Sequence, residues 1–225
     1  KPMQNTRNPF IVVEGLDGTG KTTLRKGLFR LFEGLYRITP LAVLTTNFLD
    51  ASVAADLVEG KYQPSADNQY RYLAALAADK QATATRLIAP SLPARPVIAD
   101  RWLLSELAFF AVKHDRSPKE TYPHLAEHLD VIPDLTLVLD ISPEAAMERA
   151  AARSGDATRP DWDVLDIQAR VREVYQTVTA EPAAYPALGP VVRIDAAQDR
   201  ATVLHTAWQA LDQRGLLPKL PEGAQ

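Results

Sequence analysis

A glycine-rich stretch followed by lysine and threonine is the part of this chain best suited to chemistry. The pattern is Gly15-x-x-x-x-Gly20-Lys21-Thr22, and Gly18 adds a third glycine within it. Glycines let a backbone wrap closely around a polyphosphate, a lysine neutralises the β- and γ-phosphates, and a threonine hydroxyl ligates Mg²⁺. The sequence therefore predicts a phosphate-binding P-loop.

The setting of this loop supports the same prediction. The apolar residues 10–14 precede it, and a helix is predicted to begin near Gly20, with the positive end of its dipole directed at the bound anion. A plain glycine-rich turn would not need this context. We therefore expect the following residues to bind a donor triphosphate: Gly15, Gly18, Thr19, Gly20, Lys21, Thr22 and Thr23.

A second candidate site is the pair Asp100-Arg101, which ends the predicted third strand. In open α/β sheets, ligands bind outside the carboxyl ends of the strands. Asp100 is therefore a candidate for the magnesium shell together with Thr22, and Arg101 for gripping a second phosphate group with its forked guanidinium. The alternative for an isolated pair is a surface salt bridge.

A third group consists of arginines on two predicted helices and the loop between them. Its members are Arg149, Arg153, Arg159, Arg170 and Arg172. Each one taken singly fits a solvated helix face. As a group they favour a mobile lid, at about residues 153–162, whose arginines stabilise the charge of a transferring phosphoryl group while water is excluded.

Short apolar runs alternate with longer helical patterns along the chain, which is typical of a parallel sheet covered by helices on both faces. We predict five strands, at 10–14, 41–45, 96–99, 135–139 and 190–194. The predicted helices are at 20–34, 50–59, 66–91, 103–113, 118–128, 143–153, 163–180 and 199–213. The fold class predicted is α/β, a five-stranded parallel sheet flanked by helices.

Composition limits the possible classes of protein. The 225 residues carry a net charge of −3, are 46% hydrophobic and include no cysteine, which excludes disulfides and zinc-thiolate sites. We expect no nucleic-acid partner, because a net charge of −3 gives no electrostatic reason for one, and no membrane partner, because no apolar run nears the twenty or so residues that span a bilayer. We expect a cytoplasmic enzyme with one domain at 1–217 and a loose tail at 218–225.

Several separated motifs together resemble the thymidylate kinases, which are P-loop nucleoside monophosphate kinases. The motifs are Val13-Glu14-Gly15-Leu16-Asp17-Gly18-x-Gly20-Lys21-Thr22-Thr23, Asp100-Arg101-Trp102-x-x-Ser105-x-x-Ala108-Phe109, Arg170-Val-Arg172-x-x-Tyr175 and Ile194-Asp195-Ala196. The resemblance implies a P-loop kinase fold that transfers the γ-phosphoryl group of ATP to a deoxynucleoside monophosphate. It also implies Mg²⁺ between the nucleotides and a homodimer.

The resemblance also implies roles for individual acceptor-site residues. Asp17 would contact the sugar hydroxyl of the acceptor and, through water, its phosphate. Arg101 and Ser105 would face the acceptor phosphate, and Phe109 would lie against the sugar and disfavour a 2′-hydroxyl.

The donor side carries implications of its own. Gly18 occupies a position where one subgroup of the family has a catalytic arginine, so this chain resembles the subgroup whose lid supplies it. Arg153 and Arg159 are the candidates. Ala196 and its neighbours would line the donor adenine.

Two departures from the family leave the acceptor base open. Residues 45–48 replace an Arg-Glu-Pro-Gly-Gly-type loop, and Asp79 falls near the place of a thymine-reading arginine. If Asp79 faces the site, it accepts hydrogen bonds and suits an exocyclic amine such as that of cytosine. If instead it faces solvent, Lys80 or Gln81 meets the base. The first expectation for the acceptor is dTMP, and the alternative is a cytosine or modified nucleoside monophosphate.

Two further interpretations lie outside the family. A deoxynucleoside kinase would use the same ATP site with Glu14 or Asp100 as general base, and it would have less need for Arg101. A nucleotide-dependent switch would bind ATP or GTP without an acceptor. The Asp-Arg-x-x-x-Ser pattern favours an acceptor phosphate over both.

Overall fold

The core of the protein is a five-stranded, fully parallel sheet. The structure is a computed structural model that describes residues 7–45, 51–61, 68–154 and 164–219. The strands are β1 (Phe10–Gly15), β2 (Leu41–Leu44), β3 (Val97–Asp100), β4 (Leu135–Asp140) and β5 (Val191–Asp195). Their order in the sheet is β2-β3-β1-β4-β5. All five predicted strands are thus confirmed to within about one residue at each end.

Helices cover both faces of the sheet. The α-helices are α1 (Lys21–Tyr36), α2 (Ala51–Val58), α3 (Gln69–Thr83), α4 (Ala89–Ser91), α5 (Leu103–His114), α6 (Pro118–Ala126), α7 (Pro143–Ser154), α8 (Leu165–Thr179) and α9 (Arg200–Gln213). Among the described residues, no helix is both long enough and apolar enough to cross a membrane.

One predicted element differs from the structure. The single helix expected at 66–91 is divided into α3, a π-helical segment at Ala84–Ile88 and the short α4. A π-helical turn inserts an extra residue between hydrogen-bonded groups and shifts the helical faces that follow it, which a 3.6-residue periodicity does not reveal. Residues 66 and 67 lie outside the described residues, as do residues 155–163 of the expected lid and 220–225 of the expected tail.

The sheet positions the functional residues because β1 lies at its centre. All six residues of β1 are buried, as expected of a parallel strand with helices on both sides. Val13 pairs with Asp100 of β3, and Gly15 pairs with Leu139 of β4. The carboxyl ends of three adjacent strands therefore meet at the P-loop.

An ion-pair cluster fixes the last residue of β4. Asp140 receives hydrogen bonds from Arg172 of α8, at 2.9 Å and 3.2 Å, and one from Arg193 of β5 at 3.0 Å. The hydrogen bonds from Arg172 and the charge of both arginines hold the pKa of Asp140 below its ordinary value, against the effect of partial burial. Arg172, expected within the phosphate-facing group, serves here to tie α8 to the sheet.

We expect Asp140→Asn to lower the free energy of unfolding by about 1 kcal/mol at pH 7. Because the folded-state pKa of Asp140 is depressed, its contribution is present above the unfolded-state pKa of about 4 and is lost as the pH falls through the folded value. The difference between variant and wild type in urea unfolding should therefore shrink at low pH. The matched control is Asp130→Asn, since Asp130 is exposed and makes no hydrogen bond to the described residues; an equal effect of both changes would contradict the assignment.

Candidate active site

The P-loop closes around one backbone carbonyl, that of Leu16. The backbone N–H and the hydroxyl of Thr19 donate to it at 3.3 Å and 2.8 Å, and Lys21 Nζ donates to it at 2.9 Å. Gly20, which precedes the first residue of α1, has a φ of 99°, a left-handed value that favours glycine. These contacts fix the shape of the loop, and α1 begins immediately after the turn.

Lys21 is the cation at the bottom of this loop. Its side chain is 9% exposed and lies 3.8 Å from the carboxylate of Asp17. Burial and the positive charge of Arg101 lower the pKa of Lys21 to about 7, and the carboxylates of Asp17, Asp100 and Glu14 oppose that shift. A polyphosphate at the loop would supply the negative charge that favours the ammonium form.

The first of two cavities, the donor cavity, has a volume of about 460 Å³ and opens beside the P-loop. Its lining joins the loop to three other segments: α7, the turn after β5 and α9. Among the lining residues are Gly18, Thr19, Gly20, Thr23, Ala196 and Gln198. The structure therefore brings the predicted donor-site residues Ala196 and Thr23 to one cavity.

Two arginines of α7 reach the donor cavity. Arg149 Nη1 donates to the carbonyl of Ala196 at 2.7 Å and so fixes the turn after β5. Arg153, one helical turn later, is exposed and also lines the cavity. Arg159, the other candidate lid arginine, lies outside the described residues, and Arg170 is exposed on α8.

Gly18 lies in close contact with α7. Its φ is 87°, and a Cβ atom at this position would overlap the carbonyl oxygen of Ala146. Gly20 also has a positive φ, but a Cβ atom there would meet nothing within 4 Å. Any side chain at position 18, including an arginine, would therefore displace the P-loop from α7.

Another cavity, the acceptor cavity, has a volume of about 270 Å³ and is lined by the P-loop residues Leu16 and Asp17. Its polar lining residues come from the P-loop, the end of β2, the turn after β3, α5 and α8: Asp17, Thr45, Arg101, Ser105, Glu106 and Gln168. Aromatic rings complete the wall: Tyr72, Phe109 and Tyr175. Asp17, Arg101, Ser105 and Phe109 were expected at one site, and the structure brings them together.

Arg101 is the central cation of the acceptor cavity. Its guanidinium donates to Asp17 at 2.6 Å and to the hydroxyls of Ser105 and Tyr175 at 3.2 Å each. Tyr175, Asp17 and Glu14 raise the pKa of Arg101 although burial opposes them, so this side chain is a permanent cation. Its backbone has a φ of 68°, an uncommon left-handed value for an arginine, at the turn between β3 and α5.

Glu14 is fully buried beneath Arg101 and Ser105. Its carboxylate accepts hydrogen bonds from the backbone N–H of Trp102 at 2.7 Å and of Ser105 at 3.2 Å, and from the Ser105 hydroxyl at 2.5 Å. Burial raises the pKa of Glu14, while Arg101 and these hydrogen bonds counteract the shift. Since the single hydroxyl hydrogen of Ser105 goes to Glu14, the phenol of Tyr175 is the donor in its 3.3 Å contact with Ser105.

Asp79 neither lines the acceptor cavity nor faces solvent, so both orientations considered for it are wrong. Asp79 is 5% exposed, so it does not face solvent, and it is not among the residues that line the acceptor cavity. Its neighbour Lys80 is fully buried and forms a 2.8 Å ion pair with Glu106, which does line that cavity. Gln81 is exposed on the opposite side, in a groove between α3 and α6.

The candidate metal ligands lie beside Lys21. Thr22 is exposed at the first turn of α1, and the charge of Asp100 acts on the Lys21 ammonium. No cluster of three or more histidine, cysteine or acidic side chains that could hold a metal exists among residues 7–45, 51–61, 68–154 and 164–219. One hydroxyl and one carboxylate fit Mg²⁺, which takes most of its ligands from substrate phosphates and water.

Several lining residues were not predicted as parts of the site. Thr45 was noted only as a departure from the family, Tyr175 only as a motif position, and Glu106 lies between two predicted residues without having been singled out. A usable signal existed for Glu106, which is the only charged residue in the apolar run 103–112. Such a residue on a buried helix needs either a partner or a ligand.

Comparison with known proteins gives one consistent family. The sequence profile of the thymidylate kinase family matches residues 13–188. A protein named probable thymidylate kinase from Methanosarcina acetivorans is 30% identical over 185 residues, which cover 78% of this chain and 84% of the relative. Thymidylate kinases of Jannaschia sp. and Leptospira interrogans are 30% and 29% identical, covering 91% and 78% of this chain and 96% and 84% of their own lengths.

We expect Gly18→Ala to weaken ATP binding and to lower the melting temperature more than Gly20→Ala. Both changes place a Cβ atom at a left-handed φ, which costs about 1 kcal/mol, but only the first also forces the loop away from α7. The pair is therefore matched for backbone strain. Isothermal titration calorimetry with ATP and thermal unfolding measure the two effects, and equal losses in both variants would contradict the importance of the contact with Ala146.

Proposed function

The chain belongs to the thymidylate kinase family, and from that premise we propose that it transfers the γ-phosphoryl group of ATP to dTMP, yielding dTDP and ADP. The observation that carries the proposal is that two cavities share the P-loop: Gly18, Thr19 and Gly20 line the donor cavity, whereas Leu16 and Asp17 line the acceptor cavity. The donor cavity contains the P-loop, and the acceptor cavity contains a permanent cation, Arg101. An enzyme that transfers a phosphoryl group from one nucleotide to another must bind both of them in adjacent cavities.

Catalysis in this site consists mainly of positioning and charge neutralisation. The P-loop N–H groups and Lys21 bind the donor phosphates, while Arg101, held by Asp17, Ser105 and Tyr175, aligns the acceptor phosphate as the nucleophile. Phosphoryl transfer spreads negative charge over the equatorial oxygens, and fixed cations stabilise that charge without reorganisation. Mg²⁺, held by Thr22 and Asp100, would neutralise the donor phosphates.

Membership of the family also supports a lid, a single domain and a homodimer. Arg153 and Arg159 supply the lid cations, since Gly18 leaves no room for an arginine in the P-loop. The lid of this proposal consists of about residues 153–162, and it belongs to a single kinase domain at 1–217. The working form is a cytoplasmic homodimer, without nucleic-acid or membrane partners, and light scattering of the purified protein measures the assembly.

The structure gives no support to the deoxynucleoside kinase alternative. That reaction needs a general base within reach of an uncharged hydroxyl. Glu14, one of the two candidate bases, is fully buried, and its carboxylate is occupied by three hydrogen bonds from Trp102 and Ser105. Arg101, in contrast, lines the acceptor cavity as a phosphate partner should.

The test of the proposed function is a coupled ADP-release assay with Mg·ATP and a panel of acceptors. The panel is dTMP, dUMP, dCMP, CMP, UMP, dAMP, dGMP and the parent nucleosides. We expect the highest kcat/KM with dTMP and no turnover of nucleosides. Selective turnover of nucleosides would replace the proposal with a nucleoside kinase, and ATP binding without any acceptor turnover would indicate a nucleotide switch.

We expect Lys21→Ala to lower kcat by roughly 10²-fold or more, because the variant loses a fixed cation at the transferring phosphoryl group. The change should affect turnover far more than folding, since Lys21 faces the P-loop and not the apolar core. Steady-state kinetics with both substrates and circular dichroism separate the two effects. A folded variant with nearly normal turnover would defeat the assignment of Lys21.

We expect Arg101→Ala to raise the KM for the acceptor about ten- to a hundredfold, because it removes charge-assisted hydrogen bonds to the acceptor phosphate. The affinity for ATP should change much less. The matched control is Arg30→Ala, which removes an exposed arginine of α1. A collapse of ATP affinity with an unchanged acceptor KM would show that the two sites have been exchanged.

A further inference from the structure

The acceptor cavity contains a buried ion pair that the reaction described above does not use. Glu106 Oε1 lies 2.8 Å from Lys80 Nζ, Lys80 is fully buried, and Glu106 is 5% exposed. Removing two charges from water is costly, and a buried pair is often no more stable than an apolar pair of the same volume. Stability alone therefore does not account for this pair, and the cavity beside it points to a role in binding a ligand.

Lys80 has no hydrogen left to give to a ligand. An ammonium group has three N–H donors. Their acceptors are the backbone carbonyl of Thr45, the Thr45 hydroxyl at 3.2 Å and Glu106 Oε1 at 2.8 Å. The ring of Trp102, with its centroid 4.9 Å from Nζ, covers a further side of the ammonium. Lys80 therefore acts through the carboxylate that it holds.

Glu106 has one oxygen left to offer. Oε1 accepts from Lys80 and from the Thr45 hydroxyl at 3.0 Å. Within the described parts of the chain, Oε2 accepts no hydrogen bond, while the residue itself lines the acceptor cavity. An ionised carboxylate can only accept, so this wall of the cavity presents a hydrogen-bond acceptor to whatever binds there.

The surroundings of Glu106 suit a flat heterocycle. Tyr72 packs edge-to-face on Phe109, with ring centroids 5.3 Å apart, and both rings line the cavity. Burial and the charges of Glu106 and Asp79 raise the pKa of Tyr72, so its phenol is neutral at physiological pH. A nucleotide whose phosphate binds Arg101 would therefore have Glu106 in the wall of the same cavity.

We propose that Glu106 determines base specificity, with Oε2 accepting a hydrogen bond from an N–H group on the Watson–Crick edge of the acceptor base, which in thymine is N3–H. The inference rests on the proposed nucleoside monophosphate kinase function. Lys80 and Thr45 keep the carboxylate oriented by occupying Oε1. An acceptor that lacks the N–H leaves Oε2 desolvated without a donor, which is the kind of mismatch that an enzyme discriminates strongly.

The first test uses the wild-type enzyme and therefore does not depend on the folding of a variant. Its kcat/KM is measured with saturating Mg·ATP for dTMP, 3-methyl-dTMP and 3′-deoxy-dTMP. We expect at least a tenfold lower value for 3-methyl-dTMP than for dTMP, because the methyl group removes the donor and faces the carboxylate. Equal values would overturn the proposal while leaving the kinase function in place.

The second test changes the residue. In Glu106→Gln the amide oxygen is drawn to Lys80, so the NH₂ group faces N3–H and two donors meet. We expect the kcat/KM ratio of dTMP to 3-methyl-dTMP to fall from tenfold or more to within about twofold. A purely structural defect would lower both values together and keep the ratio, which would overturn the assignment.

The substrate 3′-deoxy-dTMP distinguishes a hydrogen bond to the base from one to the sugar hydroxyl. If the effect of Glu106→Gln disappears with 3′-deoxy-dTMP, the carboxylate binds the sugar hydroxyl and the base assignment is overturned. If the effect of Glu106→Gln persists with 3′-deoxy-dTMP, the base assignment is supported. If the wild-type enzyme turns over no nucleoside monophosphate, the proposed function and this inference both fail.

Discussion

The buried carboxylate of Glu14 is the interaction on which the two halves of the site depend. It belongs to β1, which leads into the P-loop, and it accepts its three hydrogen bonds from the start of α5. β1 therefore carries the donor loop, and α5 carries one wall of the acceptor cavity. Because in-line transfer tolerates little misplacement of the reacting atoms, a fully buried, multiply bonded carboxylate is a suitable link between them.

Two cations and three carboxylates determine the electrostatics at the junction of the cavities. Asp17 lies 2.6 Å from Arg101 and 3.8 Å from Lys21, so its carboxylate interacts with both cations. Burial and the charge of Arg101 lower the pKa of Lys21, while the carboxylates of Asp17, Asp100 and Glu14 oppose that shift. The cations that would bind the two phosphorylated substrates are thus held in place by carboxylates of the protein itself.

The local parts of this architecture could be predicted from the sequence, and the parts that depend on packing could not. The five strands and the P-loop have strong local signals, and Arg101 and Ser105 belong to an Asp-Arg-x-x-x-Ser pattern that directly follows a strand. The choice between Asp79 and Lys80 depends on the exact rotation of α3. Periodicity does not separate neighbouring residues on a helix that continues into a π-helical segment. The partner of Lys80 lies 26 positions away on α5 and is recognisable only once the two helices pack.

The ion pair between Lys80 and Glu106 links elements around the acceptor cavity and also sets the polarity of the cavity wall. Because Lys80 also bonds the backbone and hydroxyl of Thr45, one ammonium holds the end of β2, α3 and α5 together. These are three of the elements that enclose the acceptor cavity. A change at Glu106 therefore alters the polarity of the cavity wall and also leaves a buried ammonium without its counter-charge, which is strongly destabilising. Because the two side chains are in direct contact, the effects of substituting Lys80 and Glu106 on the free energy of unfolding should not be additive.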